Sequence, residues 1–278
     1  MDGQNICKLQ PDVSLRDYIQ SYTFINIPYE QASQLDFWVM PTSHVRMILF
    51  LSEPSLKKVD GKLERIESNG LSGFYSIPHL FLPTQSLRQV IVQFTPWGVQ
   101  PLLDFPLSDI TDSRADLNFI FKNGLEELRA GLISAQHLND RKQLLDAFFS
   151  KQYCKTSGID QRIKSVVHCI SGEHGNINLD QLSRNTFLGE RTIQRLIHNS
   201  IGVNYKLFTK CIRLEFVREL LNKGTFTLNE VAYKAGYFDQ AHFIHEFKSV
   251  YGENPRLFLK SQNNKVWNQV ESRHAHLQ

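Results

Sequence analysis

Cysteine is scarce. The 278 residues hold only Cys7, Cys154, Cys169 and Cys211, with no C-x-x-C pair among them, and that scatter excludes a disulfide framework or a zinc site. Long apolar runs are missing too: nothing approaches the roughly 18 residues a membrane span requires, so no membrane partner is expected. Residues Met1 to Gln10 carry no apolar signal core, which points to a reduced, cytoplasmic setting. His44 and His79 stand without an H-x-H partner, so no metal is expected. Nor is there a cluster of two histidines and a carboxylate, as a β-barrel dioxygenase would need. A methyl-accepting repair domain would need clustered cysteines, and the first half has only Cys7 and Cys154. The expectation is a chain with no catalytic residue, cofactor or metal.

What is present divides the chain in two. Hydrophobic residues make up 41% and charged residues 21%, enough for a normal core in each half. Residues 160–260 carry 14 Lys and Arg against 10 Asp and Glu, whereas residues 1–159 carry 15 against 17. A basic second half beside a slightly acidic first half suits a nucleic-acid module joined to something else.

The first hundred residues read as strands and turns. Tyr22 to Ile27, Phe37 to Met40, Val45 to Leu51 and Gln89 to Phe94 are β-branched or aromatic, and Pro28, Pro41, Pro54, Gly70 and Pro96 punctuate them. From Leu117 to Tyr153 the spacing turns helical, with Leu125, Leu128, Leu132 and then Leu144, Leu145, Phe148 and Phe149 recurring at three and four. Lys151 to Gly158 is a short polar linker on this reading. Trp38, Phe74, Tyr75 and Trp97 are either core or the lining of an effector pocket.

An internal repeat organises the rest. Leu179 and Leu182 fall on Leu228 and Val231. After a one-residue insertion near Phe238, Ile193, Ile197, Gly202, Asn204, Leu207 and Phe208 fall on Phe243, Phe247, Gly252, Asn254, Leu257 and Phe258. Two copies of one small helical unit would share such anchors. Each copy reads as helix, tight turn, helix. Asn178 and Thr227 cap the first helices, and Asp239 caps the last. Tyr205 to Asn222 forms a long connecting helix that Gly224 stops.

In the second helix of each unit Ile193, Leu196 and Ile197, or Phe243, Phe247 and Val250, face inward. Arg191, Arg195 and Asn199 lie outward at i, i+4, i+8, and an arginine there can pair bidentately with guanine. On the other copy Ala241, His242, His245 and Lys248 lie outward, with Gln240 at the helix start, where base edges are reached.

At these residues the chain resembles the AraC/XylS family of transcription regulators. Gly236-Tyr237-Phe238-Asp239-Gln240-Ala241-His242-Phe243, then Phe247-Lys248 and Tyr251-Gly252-Glu253-Asn254-Pro255, look like that family's signature; Arg191-Thr192-Ile193-Gln194-Arg195-Leu196 and Gly202 look like its first unit. The resemblance spans Ile159 to Leu259. It implies a seven-helix module whose two reading helices enter successive major grooves of double-stranded DNA, with Arg191, Thr192 and Arg195 in one and Gln240, Ala241, His242 and His245 in the next. Phe187 replaces a usual turn glycine, His245 a common arginine, Ser249 a frequent basic residue and Tyr205 a frequent proline.

The expected fold is α+β: a β-rich sensory or dimerisation domain over 1–155, an all-α tandem helix-turn-helix domain over 159–261, and a polar tail over 262–278. A small-molecule effector, RNA polymerase and a second copy of the chain are the further partner candidates. An enzyme domain fused to the same module is the alternative.

Overall fold

The computed structural model of the chain describes residues 5–34, 36–39, 41–52, 56–59, 62–65, 69–156, 158–261 and 265–266. The first half runs β1 (Ile6–Leu9), β2 (Ile19–Ile27), α1 (Tyr29–Ala32), β3 (Asp36–Val39), β4 (Arg46–Phe50), β5 (Leu56–Val59), β6 (Lys62–Arg65), β7 (Gly70–Ser72), β8 (His79–Leu82), β9 (Leu87–Phe94), β10 (Arg114–Asp116), α2 (Leu117–Ile120), α3 (Leu125–Ser134) and α4 (Leu138–Tyr153). The second half runs α5 (Gln161–Gly172), α6 (Leu179–Thr186), α7 (Glu190–Ile201), α8 (Tyr205–Lys223), α9 (Leu228–Lys234), α10 (Gln240–Tyr251) and α11 (Pro255–Ser261), followed by β11 (Lys265–Val266). The α+β expectation and the seven helices of the second half are both met among the described residues.

Two sheets make the first half, in the orders β1-β2-β9-β4-β7-β10 and β11-β3-β8-β5-β6. The four expected strands are β2, β3, β4 and β9; Met40, read as the end of one of them, lies outside the described residues, as does Pro54. The remaining strands carry weaker signals. Most are three or four residues long, and β5 and β6 hold Lys57, Lys58, Lys62, Glu64 and Arg65, with too little alternation to reveal a buried face. One face of the first sheet, with Tyr22, Phe24, Met47, Val90, Val92 and Phe94, packs on Leu125, Leu128 and Leu132 of α3 and Leu145, Phe148 and Phe149 of α4. Its other face meets the second sheet through Ile48, Phe50, Phe81 and Ile91.

Two expectations are corrected here. The linker begins later than read, because α4 continues through Lys151 and Gln152 to Tyr153. Tyr153, where the helical spacing also ended, is buried: its ring stacks on Tyr18 at 3.9 Å and its hydroxyl donates to the Gly98 carbonyl at 2.8 Å, so tertiary contacts hold this end of the helix. The tail is not wholly separate. Lys265 and Val266 pair in parallel with Asp36 and Phe37 of β3, while 262–264 and 267–278 lie outside the described residues.

The halves meet along a seam on α5, α7 and α8. Phe74 and Trp97 are buried in one cluster with Val166, Ile170, Ile201 and Ile212. Trp38 packs against the cluster that holds Leu214, Val217 and Phe247. Of the aromatic residues open to either reading, Phe74, Tyr75 and Trp97 are therefore core, and Trp38 is half-buried against the seam. Polar contacts flank it. The Ser43 amide and hydroxyl donate to the two Glu215 carboxylate oxygens at 2.7 and 2.8 Å. Lys164 Nζ donates to Asp17 Oδ2 at 2.8 Å, and Thr111 Oγ1 donates to the Gly202 carbonyl at 3.0 Å. Gly202 ends α7 with φ 86°, and a Cβ there would strike the Leu107 backbone at 2.8 Å. Glycine is thus required both for the left-handed cap and for the close approach.

Trp97→Ala removes the largest fully packed side chain of the seam. It should lower unfolding stability by about 3–5 kcal/mol, read as a fall in denaturant midpoint. A loss under about 1 kcal/mol would mean the seam contributes little.

Candidate nucleic-acid interface

Local sequence sets each helix pair. Asn178 opens α6 with a capping box: its side chain accepts from the Gln181 amide at 2.8 Å, and the Gln181 side chain accepts from the Asn178 amide at 3.2 Å. Thr227 and Glu230 repeat the device at α9. The Thr227 amide, and then its hydroxyl, hold the Glu230 carboxyl below the ordinary carboxylate range. Asp239 starts α10 by accepting from the His242 amide at 2.7 Å. In the turns the copies differ. Gly236 takes φ 76° without penalty, whereas Phe187 takes φ 55°, a conformation that costs a residue with a Cβ roughly 1–2 kcal/mol. Phe187 stands where the resemblance implies glycine, and its backbone adopts what that glycine would supply. The residue is 95% exposed.

The inward and outward faces of α7 and α10 separate as the spacing predicts. Ile193, Leu196, Ile197, Phe243, Phe247 and Val250 are buried. Arg191, Arg195 and Asn199 are exposed on α7, with Thr192 half-buried; Ala241, His242, His245 and Lys248 are exposed on α10, with Gln240 half-buried. The His242 ring, though exposed, lies edge-on against Tyr237 at 5.3 Å.

Arg191, Arg195 and Asn199 come together with Gln194 and His198 along a groove of about 1050 Å³, whose other side includes Lys206, Lys210 and Arg213 of α8. Glu246 is the α10 residue that reaches it; Gln240, Ala241, His242, His245 and Lys248 lie elsewhere on that helix. Sequence reasoning missed the α8 cations, although 206, 210 and 213 are spaced to share one helix face.

The family described as "Helix-turn-helix domain" matches residues 182–261, and one described as "Domain of unknown function (DUF6597)" matches residues 8–116. Over 80 residues the chain is 28% identical to the HTH-type transcriptional activator RhaS of Escherichia coli O139:H28. The chain carries a helix-turn-helix domain over residues 182–261. The RhaS match covers 29% of this chain and 29% of RhaS, so the chain spans under a third of that curated relative. Among solved structures, ToxT of Vibrio cholerae O395 bound to (E)-4-(8-methylnaphthalen-1-yl)but-3-enoic acid has a TM-score of 0.48 at 15% identity, covering 92% of this chain and 97% of that one. A DNA-binding transcriptional dual regulator of Escherichia coli K-12 has a TM-score of 0.34 at 16% identity, covering 37% and 92%.

Within the helix-turn-helix domain polar contacts bind α8 to α10. Lys210 Nζ donates to Ser249 Oγ at 2.8 Å. Ser249 replaces a frequent basic residue, and a cation from α8 stands beside it. Deeper in, Tyr237 donates to Glu246 Oε1 at 2.7 Å, Arg213 lies 3.7 Å from the same oxygen, and Arg213 also donates to the Gly175 carbonyl at 3.1 Å. Burial first, and the Glu246 charge second, push the Tyr237 hydroxyl far above its ordinary pKa, so it remains a donor to Glu246. The Arg213 guanidinium sits 5.5 Å over the Tyr237 ring. One carboxylate thus accepts from a tyrosine and pairs electrostatically with an arginine, which through Gly175 joins both units of the module.

Glu246→Ala leaves Tyr237 without its acceptor and Arg213 without its ion-pair partner. The variant should unfold about 1–3 kcal/mol more easily, measured by chemical denaturation; unchanged stability would show that the network is not structural.

Proposed function

We propose that the chain is a sequence-specific regulator of transcription that sets α7 and α10 into successive major grooves of double-stranded DNA. The observation that carries this reading is the mounting of two capped helix pairs on one buried helix, α8, each pair presenting an exposed polar face on its second helix. A major groove accepts one helix. The 19 residues of α8 span roughly 28 Å at about 1.5 Å per residue, a stiff spacer against a groove repeat of about 34 Å. Modest bending of the duplex closes the difference.

On this reading Arg191, Thr192, Arg195 and Asn199 serve one groove, and Gln240, Ala241, His242, His245 and Lys248 the next. Lys206 and Lys210 stand beside the first set, where phosphates of the backbone would pass. The similarity to a transcriptional activator supports the role. Residues 1–155 form the regulatory half, acting through a small-molecule effector or by pairing two copies, and RNA polymerase is the partner through which bound regulator would act. Residues 159–261 form the DNA-binding half. None of these roles calls for a catalytic group.

Arg195→Ala should cost about 1–3 kcal/mol at the preferred site and relax base preference at one position. Lys248→Ala should weaken every sequence alike and lower the salt slope by about one. Gel shifts over a panel of sites at two salt concentrations separate the two effects, and a uniform loss for Arg195→Ala would move that residue to the phosphates.

Spacing gives a second check. Inserting about five base pairs between the two half-elements turns them to opposite faces of the duplex, and affinity should fall towards the non-specific level. Unchanged affinity would mean that one unit alone reads DNA.

A further inference from the structure

The sheet face beneath α3 and α4 is apolar along most of its length, with Tyr22, Phe24, Val90, Val92 and Phe94 all buried. At one end the apolar row stops. Alternate residues of a strand share a face, so Arg88 lies on the side of β9 that carries Val90 and Val92. Its registered neighbour Asn26 continues the row of Tyr22 and Phe24 on β2. The turn from α3 to α4 passes over this end without filling it. A pocket of about 870 Å³ results, walled in part by Phe24, Leu51 and Leu138, with both Arg88 and Arg141 in its lining.

Two arginines meet in this lining. Arg141 donates through Nε and Nη2 to the Ala135 carbonyl at 3.1 and 2.9 Å, a neutral acceptor that orients the guanidinium without offsetting its charge. The Arg88 guanidinium has no hydrogen bond or ion pair among the described residues, and no Asp or Glu among them lines the pocket. The groups feel one another: burial first, and then the Arg88 charge, lower the Arg141 pKa. Like charges in a partly dehydrated concavity are unfavourable unless an anion lies between them. Arginine forks bind the oxygens of a carboxylate or phosphate through paired, charge-assisted hydrogen bonds. Apolar walls beside them accommodate a hydrocarbon body.

We propose that this pocket binds a small organic anion, its carboxylate or phosphate group held by Arg88 and Arg141 and its apolar body lying against Phe24, Leu51 and Leu138. The site lies between the first sheet and its covering helices, not between the two sheets. The helix over it, α4, ends at Tyr153, which hydrogen-bonds Gly98 next to Trp97 of the seam. Pocket and seam therefore lie at opposite ends of one rigid element. The proposal rests on the regulatory reading of the first half, and its test reads binding without DNA, so that its failure leaves the DNA reading standing.

The experiment measures the melting temperature of the full chain, at constant ionic strength, with sodium octanoate, octyl phosphate or neutral octanamide. At least one of the two anions should raise the melting temperature by several degrees in a saturable manner, and octanamide should not. A larger shift with octyl phosphate identifies a phosphate site; a larger shift with octanoate identifies a carboxylate site. Arg88→Met keeps an apolar stem and removes one charge. It should abolish the shift while leaving the unliganded melting temperature equal or higher, because the repulsion is gone. Arg141→Lys keeps the charge but loses the fork, and should weaken binding at least tenfold by calorimetry. No shift with either anion, an equal shift with octanamide, or a full response retained in both variants would overturn the proposal.

Discussion

Helix α8 is buried around most of its circumference, and the second half of the molecule is built on that burial. Phe208, Cys211 and Ile212 complete the core of the first helix pair; Leu214, Val217, Leu220 and Leu221 complete the core of the second. Neither pair could bury its apolar face with its own two short helices. Because one continuous helix closes both cores, the separation of α7 and α10 is set by a rigid rise per residue, not by a flexible tether. The remaining sides of α8 are divided as well. Lys206, Lys210 and Arg213 share the side that faces the groove. Ile212, Glu215, Phe216 and Glu219 share the side turned to the first half.

That second division makes the seam an extension of the same cores. Phe74 and Trp97 enter the first cluster and Trp38 packs on the second, so the β-rich half touches both helix pairs. Apolar burial supplies most of the attraction there. The Ser43–Glu215, Lys164–Asp17 and Thr111–Gly202 contacts give it register. A polar contact adds little net stability but penalises any arrangement that leaves it unmade. The Arg213–Glu246–Tyr237 network plays the corresponding part between the two helix pairs.

The two copies have diverged where backbone geometry is most demanding. Both turns need a left-handed residue. Gly236 meets that need freely and also lets Asn176 approach where a Cβ would collide. Phe187 meets it under strain with its ring in solvent. The cost is tolerable because the capping box at Asn178 and the Ser183 hydroxyl, which donates to the Leu188 carbonyl at 2.7 Å, hold the segment from both ends.

Short-range physics was legible in the chain itself. Period-3.6 apolar anchors, the caps at Asn178, Thr227 and Asp239, and the stop at Gly224 defined the helices, because each depends on residues within about one turn of one another. The long strands β2, β4 and β9 were legible for the same reason, as unbroken β-branched and aromatic runs. The outward placement of Arg191, Arg195, His245 and Lys248 followed from helix phase alone. Tertiary structure decided the rest. Which partners the short charged strands β5 and β6 find, that Tyr153 is buried against Tyr18 and Gly98, that Trp97 and Phe74 fill a seam, and that Lys206 and Lys210 stand opposite Arg191 and Arg195 all depend on residues far apart in the chain. Such contacts form only once the sheets and helices have packed, and no local pattern encodes them.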